Sequence, residues 1–412
     1  MNPTAGAAAP PPPVAPTLVF MVPRLARGGM LSVMLAAWAH LAHHRIVVVT
    51  QEHSTERVPH ETVLLPRAFG DPLRFPGAWI YAWRAARAAA GIARATAGAV
   101  ILVPQDALAT GAGAVLAGRR TRTPVVVMDH GSAIVYRTAF FWRERLARSR
   151  MSERVRLPLL RASLRILHRI TLRGADRVLL PSREAVERFT ADGVAPHRIA
   201  RYHVPLDLVR FAPPDPQRRQ ATRHRLRVAD EQLLALSIGR LTPEKGLDVL
   251  VDAVARLPAD RRPILAIGGA GPMRAALEQR AAALGIELRV LGEVGADELP
   301  DLIGAADMVT YASRQGTNVP VAILEAMACA RLVIATDQPP STHELLGDGR
   351  GIVVPAGEAA LYADGLADAV GMGAAGRRAA GVAARRWVES EHGPERVAAE
   401  LAAAFALPTR AA

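Results

Sequence analysis

Two doubly wound parallel sheets, each a Rossmann-like α/β domain, facing one another across a cleft: this is the architecture the sequence predicts. Three observations predict it. Short β-rich runs alternate with helical patterns along nearly the whole chain, which is the signature of βαβ units. The 412 residues exceed one ordinary core and suit two domains. Half the residues are hydrophobic but only 4% are aromatic, so Ala, Val and Leu do the packing, as in helices laid on parallel sheets.

The first sixteen residues are Ala/Pro-rich without a basic n-region and read as a disordered tail, not a secretory signal. The first domain, 17–210, has strands expected at 17–22, 45–50, 61–65, 100–103, 124–128 and 177–180. Helices lie between them, such as 30–42 and 76–95. The stretch 97–118 comes nearest to a membrane span, but Pro104, Gln105 and Asp106 interrupt it. Segment 211–217, FAPPDPQ, holds three prolines and reads as the linker, since Pro fits neither a helix interior nor a central strand. The second domain, 218–385, has strands expected at 233–238, 264–267, 288–291, 308–311, 332–335 and 351–354. Its helices include 247–257, 273–284 and 319–330. The C-terminal helical stretch, 374–405, is interrupted at His392-Gly393-Pro394; its last part, 386–412, is expected to cross back to the first domain.

One cysteine, Cys329, excludes an internal disulfide framework and fits a reducing compartment. It reads as a small buried hydrophobe, since no neighbouring histidine would activate it.

The net charge of +13 is uneven. From Arg137 to Arg173 there are eleven arginines against Glu144 and Glu153. Such a segment is a solvated helix face, a contact for anionic headgroups, or a nucleic-acid patch. The last is disfavoured, because neither interleaved aromatics nor a known nucleic-acid module is present.

Ligands of doubly wound sheets bind at the carboxyl ends of the strands, and the candidate chemistry collects there. After the first strand of domain two comes Gly239-Arg240-Leu241-Thr242-Pro243-Glu244-Lys245-Gly246. Arg240 and Lys245, five apart on a loop opening a helix, can hold a diphosphate, the guanidinium bidentately and the ammonium as a point charge. The spacing is not that of a P-loop. Gly268-Gly269-Ala270-Gly271-Pro272 follows the next strand and is either a tight strand-to-helix turn or a ligand cradle. In domain one, Gly28 and Gly29 open a helix after the first strand; the third glycine of a dinucleotide fingerprint is missing. His130, in Asp129-His130-Gly131-Ser132, follows the fifth strand and is either a cleft residue or structural. Glu325 is an exposed carboxylate near the start of an apolar helix, placed to grip sugar hydroxyls. No nucleophile triad and no metal-ligand spacing is present.

In this order the pieces resemble the GT-B glycosyltransferases and, within them, the retaining family 4 (group 1) enzymes. The resemblance spans roughly residues 18–354, and its specific part is GRLTPEKG followed by LEAMA. It implies a nucleotide-diphospho-sugar donor, no cofactor, no metal, and retention of configuration by front-face attack assisted by the leaving phosphate. Arg240 and Lys245 match the pair that holds the donor diphosphate, and Glu325 matches the glutamate that takes the ribose hydroxyls. Gly28 and Gly29 match the loop near the phosphates and acceptor, and His130 a histidine near the reacting sugar. Gly239, Gly269 and Gly271 belong to the donor-binding turns. The family's second glutamate, eight residues before Glu325, falls here at Thr317; Gln315 is its nearest chemical substitute, if the loop carries a two-residue insertion. Ala330, Leu332 and Val204 also depart from the family pattern, as changes of packing. The resemblance implies a glycan, lipid-linked or small-molecule acceptor in cell-envelope polysaccharide or glycoconjugate synthesis. The expected location is the cytoplasm, peripheral on the membrane's inner face through the arginine-rich segment, with no nucleic-acid partner. The lost glutamate leaves two other readings: a non-catalytic nucleotide-sugar-binding protein, or a sugar-nucleotide epimerase of the same fold.

Overall fold

The computed structural model describes residues 15–25, 29–52, 60–66, 73–131, 136, 138–149, 151–316 and 319–406. The expected tail, Gly28, Ser132 and Thr317 lie outside the described residues, apart from positions 15 and 16 of the tail.

In the first domain, β1 (Thr17–Met21), β2 (Ile46–Thr50), β3 (Glu61–Leu64) and β4 (Val100–Pro104) form a parallel sheet in the order β3-β2-β1-β4. The strands β5 (Val126–Met128), β6 (Arg177–Leu180) and β7 (Ile199–Arg201) continue it. A parallel bridge between Leu102 and Val125 joins the two groups. The runs of β1, β2, β4 and β5 are rich in aliphatic residues and buried on both faces, as parallel strands covered by helices must be, whereas the edge strand β3 is partly exposed. The strand expected at 124–128 begins at Val126, because the Leu102 amide bonds the Pro124 carbonyl from outside the ladder. Strand β7 was not anticipated; its three residues are only half-buried and two flank an alanine.

The second domain is one six-stranded parallel sheet, in the order β10-β9-β8-β11-β12-β13. Its strands are β8 (Leu234–Ile238), β9 (Ile264–Gly268), β10 (Leu288–Gly292), β11 (Met308–Tyr311), β12 (Leu332–Thr336) and β13 (Ile352–Val354). Strand order reverses between β1 and β4 in the first sheet and between β8 and β11 in the second. Both reversals open a crevice at the carboxyl edge.

Packing moves the domain boundaries. Tyr202 lies in the first core, whereas Val204, Leu206 and Phe211 lie in the second. The chain therefore crosses at residues 202–204, upstream of the expected linker. Phe211 is buried because its ring is apolar and the second core receives it. Pro216 already sits at the first turn of helix Pro216–Arg225, where a missing N–H costs nothing, and the Asp215 carboxylate caps the amides of Gln217 and Arg218 at 3.0 Å. The return also lies later than residue 386. Helix Gly373–Glu391 stays on the second core through Ala384 and Val388. Only helix Pro394–Phe405 packs on the first core, burying Val397, Leu401, Ala404 and Phe405 beside Leu18, Phe20 and Trp38. Among the described residues no helix is long and apolar enough to cross a membrane.

Candidate donor site at the carboxyl edges

Two loops at the carboxyl edge of the second sheet zip together by backbone. The Gly239 amide donates to the Gly268 carbonyl and the Leu241 amide to the Ala270 carbonyl, both at 2.9 Å. The approach is so close that a Cβ on Gly269 would lie 1.8 Å from the Gly239 oxygen, and one on Gly271 2.4 Å from the Leu241 oxygen. These glycines are thus required by chain packing: the turn at the strand ends is tight for structural reasons.

From this platform the loop 239–246 carries both expected cations, Lys245 in the short turn Pro243–Lys245 and Arg240 just before it. Arg240 is 73% exposed and pairs with Glu244 at 3.1 Å. The Lys245 ammonium stands 5.2 Å from the centre of the Tyr311 ring. The loop after β11 is lashed to the same turn. Arg314 makes a bidentate pair with Asp248, both contacts 2.7 Å, and its amide donates to the Glu244 carbonyl at 2.9 Å. Burial raises the Asp248 pKa, but the Arg314 hydrogen bonds and charge outweigh it and leave the group below the ordinary carboxylate range. The next residue, Gln315, donates from Nε2 to Thr138 Oγ1 of the first domain at 2.7 Å. That bond brings the two carboxyl edges face to face.

Glu325 sits differently from expectation. It is 7% exposed, within helix Val321–Ala328, and lines a small cavity of about 10 Å³ with Ile238, Ile303 and Tyr311. Helix Gly29–His40 of the first domain, through Val33, shares the core that covers it. Burial pushes its pKa up to about 7, and only the Arg210 guanidinium opposes this. The carboxylate is buried because nearly every other side chain of its helix is apolar and packed on both flanks. Tyr311 connects it with Lys245, since the ring both lines the cavity and lies under the ammonium. Cys329 caps that helix, fully buried, with its thiol pushed up to about 12 by burial.

Across the cleft, the Asp129 carboxylate accepts from the amides of Ala107 (3.0 Å) and Gly131 (2.7 Å), fixing the turn that presents His130. The Gln105 amide donates from Nε2 to the Val103 carbonyl, so its Oε1 accepts from His130 Nε2 at 2.9 Å. Tyr202 O–H then donates to His130 Nδ1 at 3.3 Å. Burial lowers the His130 pKa to about 4, with Asp129 opposing. The ring is therefore a neutral donor with a fixed tautomer. Gln105 and Tyr202 were missed as site residues. The sequence showed Gln105 only as a polar interruption, and Tyr202 follows a short strand that carried no signal.

The architecture is that of the GT-B fold. Residues 218–387 match the model of the family described as "Glycosyl transferases group 1". Among curated proteins, the D-inositol 3-phosphate glycosyltransferase of Jonesia denitrificans is 34% identical over 195 residues, 44% of this chain and 45% of that protein. The GDP-mannose-dependent alpha-(1-6)-phosphatidylinositol monomannoside mannosyltransferase of Mycobacterium tuberculosis is 32% identical over 249 residues, 56% of this chain and 61% of that one. The chain thus spans about half to three-fifths of the length of these relatives. Among solved structures, Anabaena HepE in complex with UDP and glucose aligns with a TM-score of 0.75 at 18% identity, over 95% of this chain and 100% of that one.

Proposed function

We propose that the protein is a retaining glycosyltransferase. It would move a sugar from a nucleotide-diphospho-sugar to a glycan, lipid-linked or small-molecule acceptor, in cell-envelope polysaccharide or glycoconjugate synthesis. The observation that carries this reading is the convergence of Arg240, Lys245 and the Gly269–Gly271 turn at one sheet edge, tied through Gln315 to the edge that presents His130. Relatives named for GDP-mannose and a fold neighbour solved with UDP support a nucleoside diphosphate as the ligand. In this reading Arg240 and Lys245 take up the charge that develops on the departing diphosphate, without a metal or other cofactor. Neutral His130 borders the reacting sugar with its one N–H held by Gln105, and Glu325 meets the ribose. A thermal-shift screen against UDP-, GDP- and ADP-sugars identifies the base, because a ligand of the native state raises the midpoint. Arg240→Ala and Lys245→Ala are expected to lower kcat/KM at least a hundredfold with the fold intact; unchanged kcat/KM in both sinks the assignment.

Gln315 favours a second reading, a non-catalytic nucleotide-sugar binder. A neutral amide stands nearest the family's glutamate position, and it is spent on Thr138. Binding of a nucleotide sugar by calorimetry, with neither transfer nor donor hydrolysis, would select it.

Membrane contact belongs to the first reading. The segment 139–174 exposes Met151, Val155, Leu159 and Ile166 among the exposed Arg154, Arg156, Arg161, Arg165 and Arg169. Apolar side chains amid guanidiniums suit an anionic bilayer surface on the cytoplasmic side. Co-sedimentation with phosphatidylglycerol vesicles is expected at low salt and weaker at physiological salt; none at either refutes the contact.

A further inference from the structure

At the amino-terminal edge of the second sheet, opposite the cleft, lies a groove of about 530 Å³. Its floor is Asp307, just before β11, with Arg331 and Leu332 where β12 begins; helices Pro216–Arg225 and Gly373–Glu391 form its walls. The strands run between this groove and the loops of Gly239 and Gln315, so roughly 15 Å of sheet separates the two places.

Six arginines line the groove, Arg219, Arg331, Arg377, Arg378, Arg385 and Arg386, against the carboxylates of Asp307 and Glu389, which leaves four positive charges uncompensated. Four of the six also hold the fold. Arg219 reaches the Gly304 carbonyl and Asp307, both at 2.8 Å. Arg385 reaches the carbonyls of Phe211 (2.6 Å) and Ala328 (2.8 Å), Arg377 that of Ala369 (3.0 Å), and Arg331 that of Cys329 (3.2 Å). Arg378 and Arg386 differ. Both are exposed, one on each side of Val382 along one helix, and neither has an ion-pair partner among the described residues. Burial, together with the guanidiniums of Arg219 and Arg378, holds Arg331 below the ordinary arginine range. The neighbouring guanidiniums thus disfavour the charge of Arg331, which an anion in the groove would offset.

We propose that this groove is a second ligand site, separate from the donor cleft, that binds a soluble polyanion carrying several phosphoryl groups, with Arg378 and Arg386 as its principal contacts. Guanidinium forks match phosphoryl oxygens bidentately. Eight residues of helix set the two arginines about 12 Å apart along its axis, a spacing that suits a chain of phosphoryl groups better than one ion. The charge lies in a concavity walled by Pro213, Pro214 and Pro216, which a flat bilayer does not enter.

The test is calorimetric titration of tripolyphosphate into full-length protein carrying Arg240→Ala and Lys245→Ala, so that the cleft cations cannot supply the binding. One equivalent is expected to bind, and the further substitutions Arg378→Ala and Arg386→Ala are expected to weaken it at least tenfold. The melting midpoint of the ligand-free protein should not move, because both side chains are exposed. Absence of binding in the Arg240/Lys245 variant, or equal binding with and without Arg378 and Arg386, overturns the site. Binding to phosphatidylglycerol vesicles that requires Arg378 and Arg386, without tripolyphosphate binding, overturns the soluble ligand and gives the groove to lipid. Failure of the glycosyltransferase reading leaves every one of these outcomes readable.

Discussion

Glu325 shows what burial does to a single carboxylate. Its ordinary pKa of 4.5 rises to about 7 in the folded chain, so the folded state holds the proton more tightly than the unfolded one. Stability from this group is therefore full below pH 4.5 and lost as pH rises through about 7, by about 3 kcal/mol in total. Glu325→Gln keeps the shape and removes the titration. Urea unfolding should show the variant gaining on the parent between pH 5 and pH 8, and a difference that stays flat with pH contradicts the buried, protonated carboxyl. In the proposed role the same variant should bind nucleotide sugar about two- to tenfold more weakly, the worth of a hydrogen bond to a neutral carboxyl. The position of Glu325 was legible in the sequence because LEAMA follows a strand-ending loop at a fixed distance. Its burial was not, since exposure depends on helix Gly29–His40 of the other domain. Gln105 and Tyr202 were illegible for the same reason: they meet His130 across separations of 25 and 72 positions along the chain.

At the scale of elements, alternation of β-rich runs with helices located twelve of the thirteen strands, because parallel strands are continuous apolar runs that no other structure explains. The exception, β7, is three residues long and half-buried. The loops between elements carried less signal, and one of them governs the site. Residues 312–316 have no regular structure, yet Arg314 ties them to Asp248 on the helix that follows the Arg240–Lys245 loop. The pair is about one-third exposed, at 28% and 32%, so its worth to stability is modest, about 1 kcal/mol. Its worth to geometry is greater, because Gln315 and the turn at Lys245 are both positioned by it. Asp248→Asn should shift the unfolding midpoint by only a few degrees while raising KM for the donor severalfold. Equal KM in parent and variant argues that the loop holds its place without the pair. Since the Asp248 pKa lies below the ordinary carboxylate range, its contribution is present above that range and is lost as pH falls through it.

The whole molecule is two sheets strapped together by a chain that crosses twice. The outward crossing puts His203 between domains, where its amide donates to Glu400 at 2.7 Å and its ring meets Glu400 at 2.9 Å and Glu391 at 3.4 Å. The return crossing puts His392 Nδ1 against the Val204 carbonyl at 2.8 Å. Beyond it, helix Pro394–Phe405 completes the first core with side chains from the far end of the chain. Arg177 donates to the carbonyls of Ala403 and Ala404 and closes the helix end. The first domain therefore lacks a full core until the last residues of the helix are in place, and its stability depends on sequence some 375 residues from β1. Leu401 isolates this dependence, being wholly buried among Leu18, Phe20 and Trp38 and far from the cleft loops. Leu401→Ala removes that side chain and leaves a cavity, which should cost 2–5 kcal/mol, about the range for core leucines. The loss should fall on the first domain, so calorimetric unfolding is expected to split, with an earlier transition for the first domain and a second-domain transition near its original midpoint. The second domain, whose core includes none of these residues, should still bind nucleoside diphosphate below the later transition. A cost under about 1 kcal/mol, or a single transition that moves as a whole, shows that the final helix is not the keystone of the first domain.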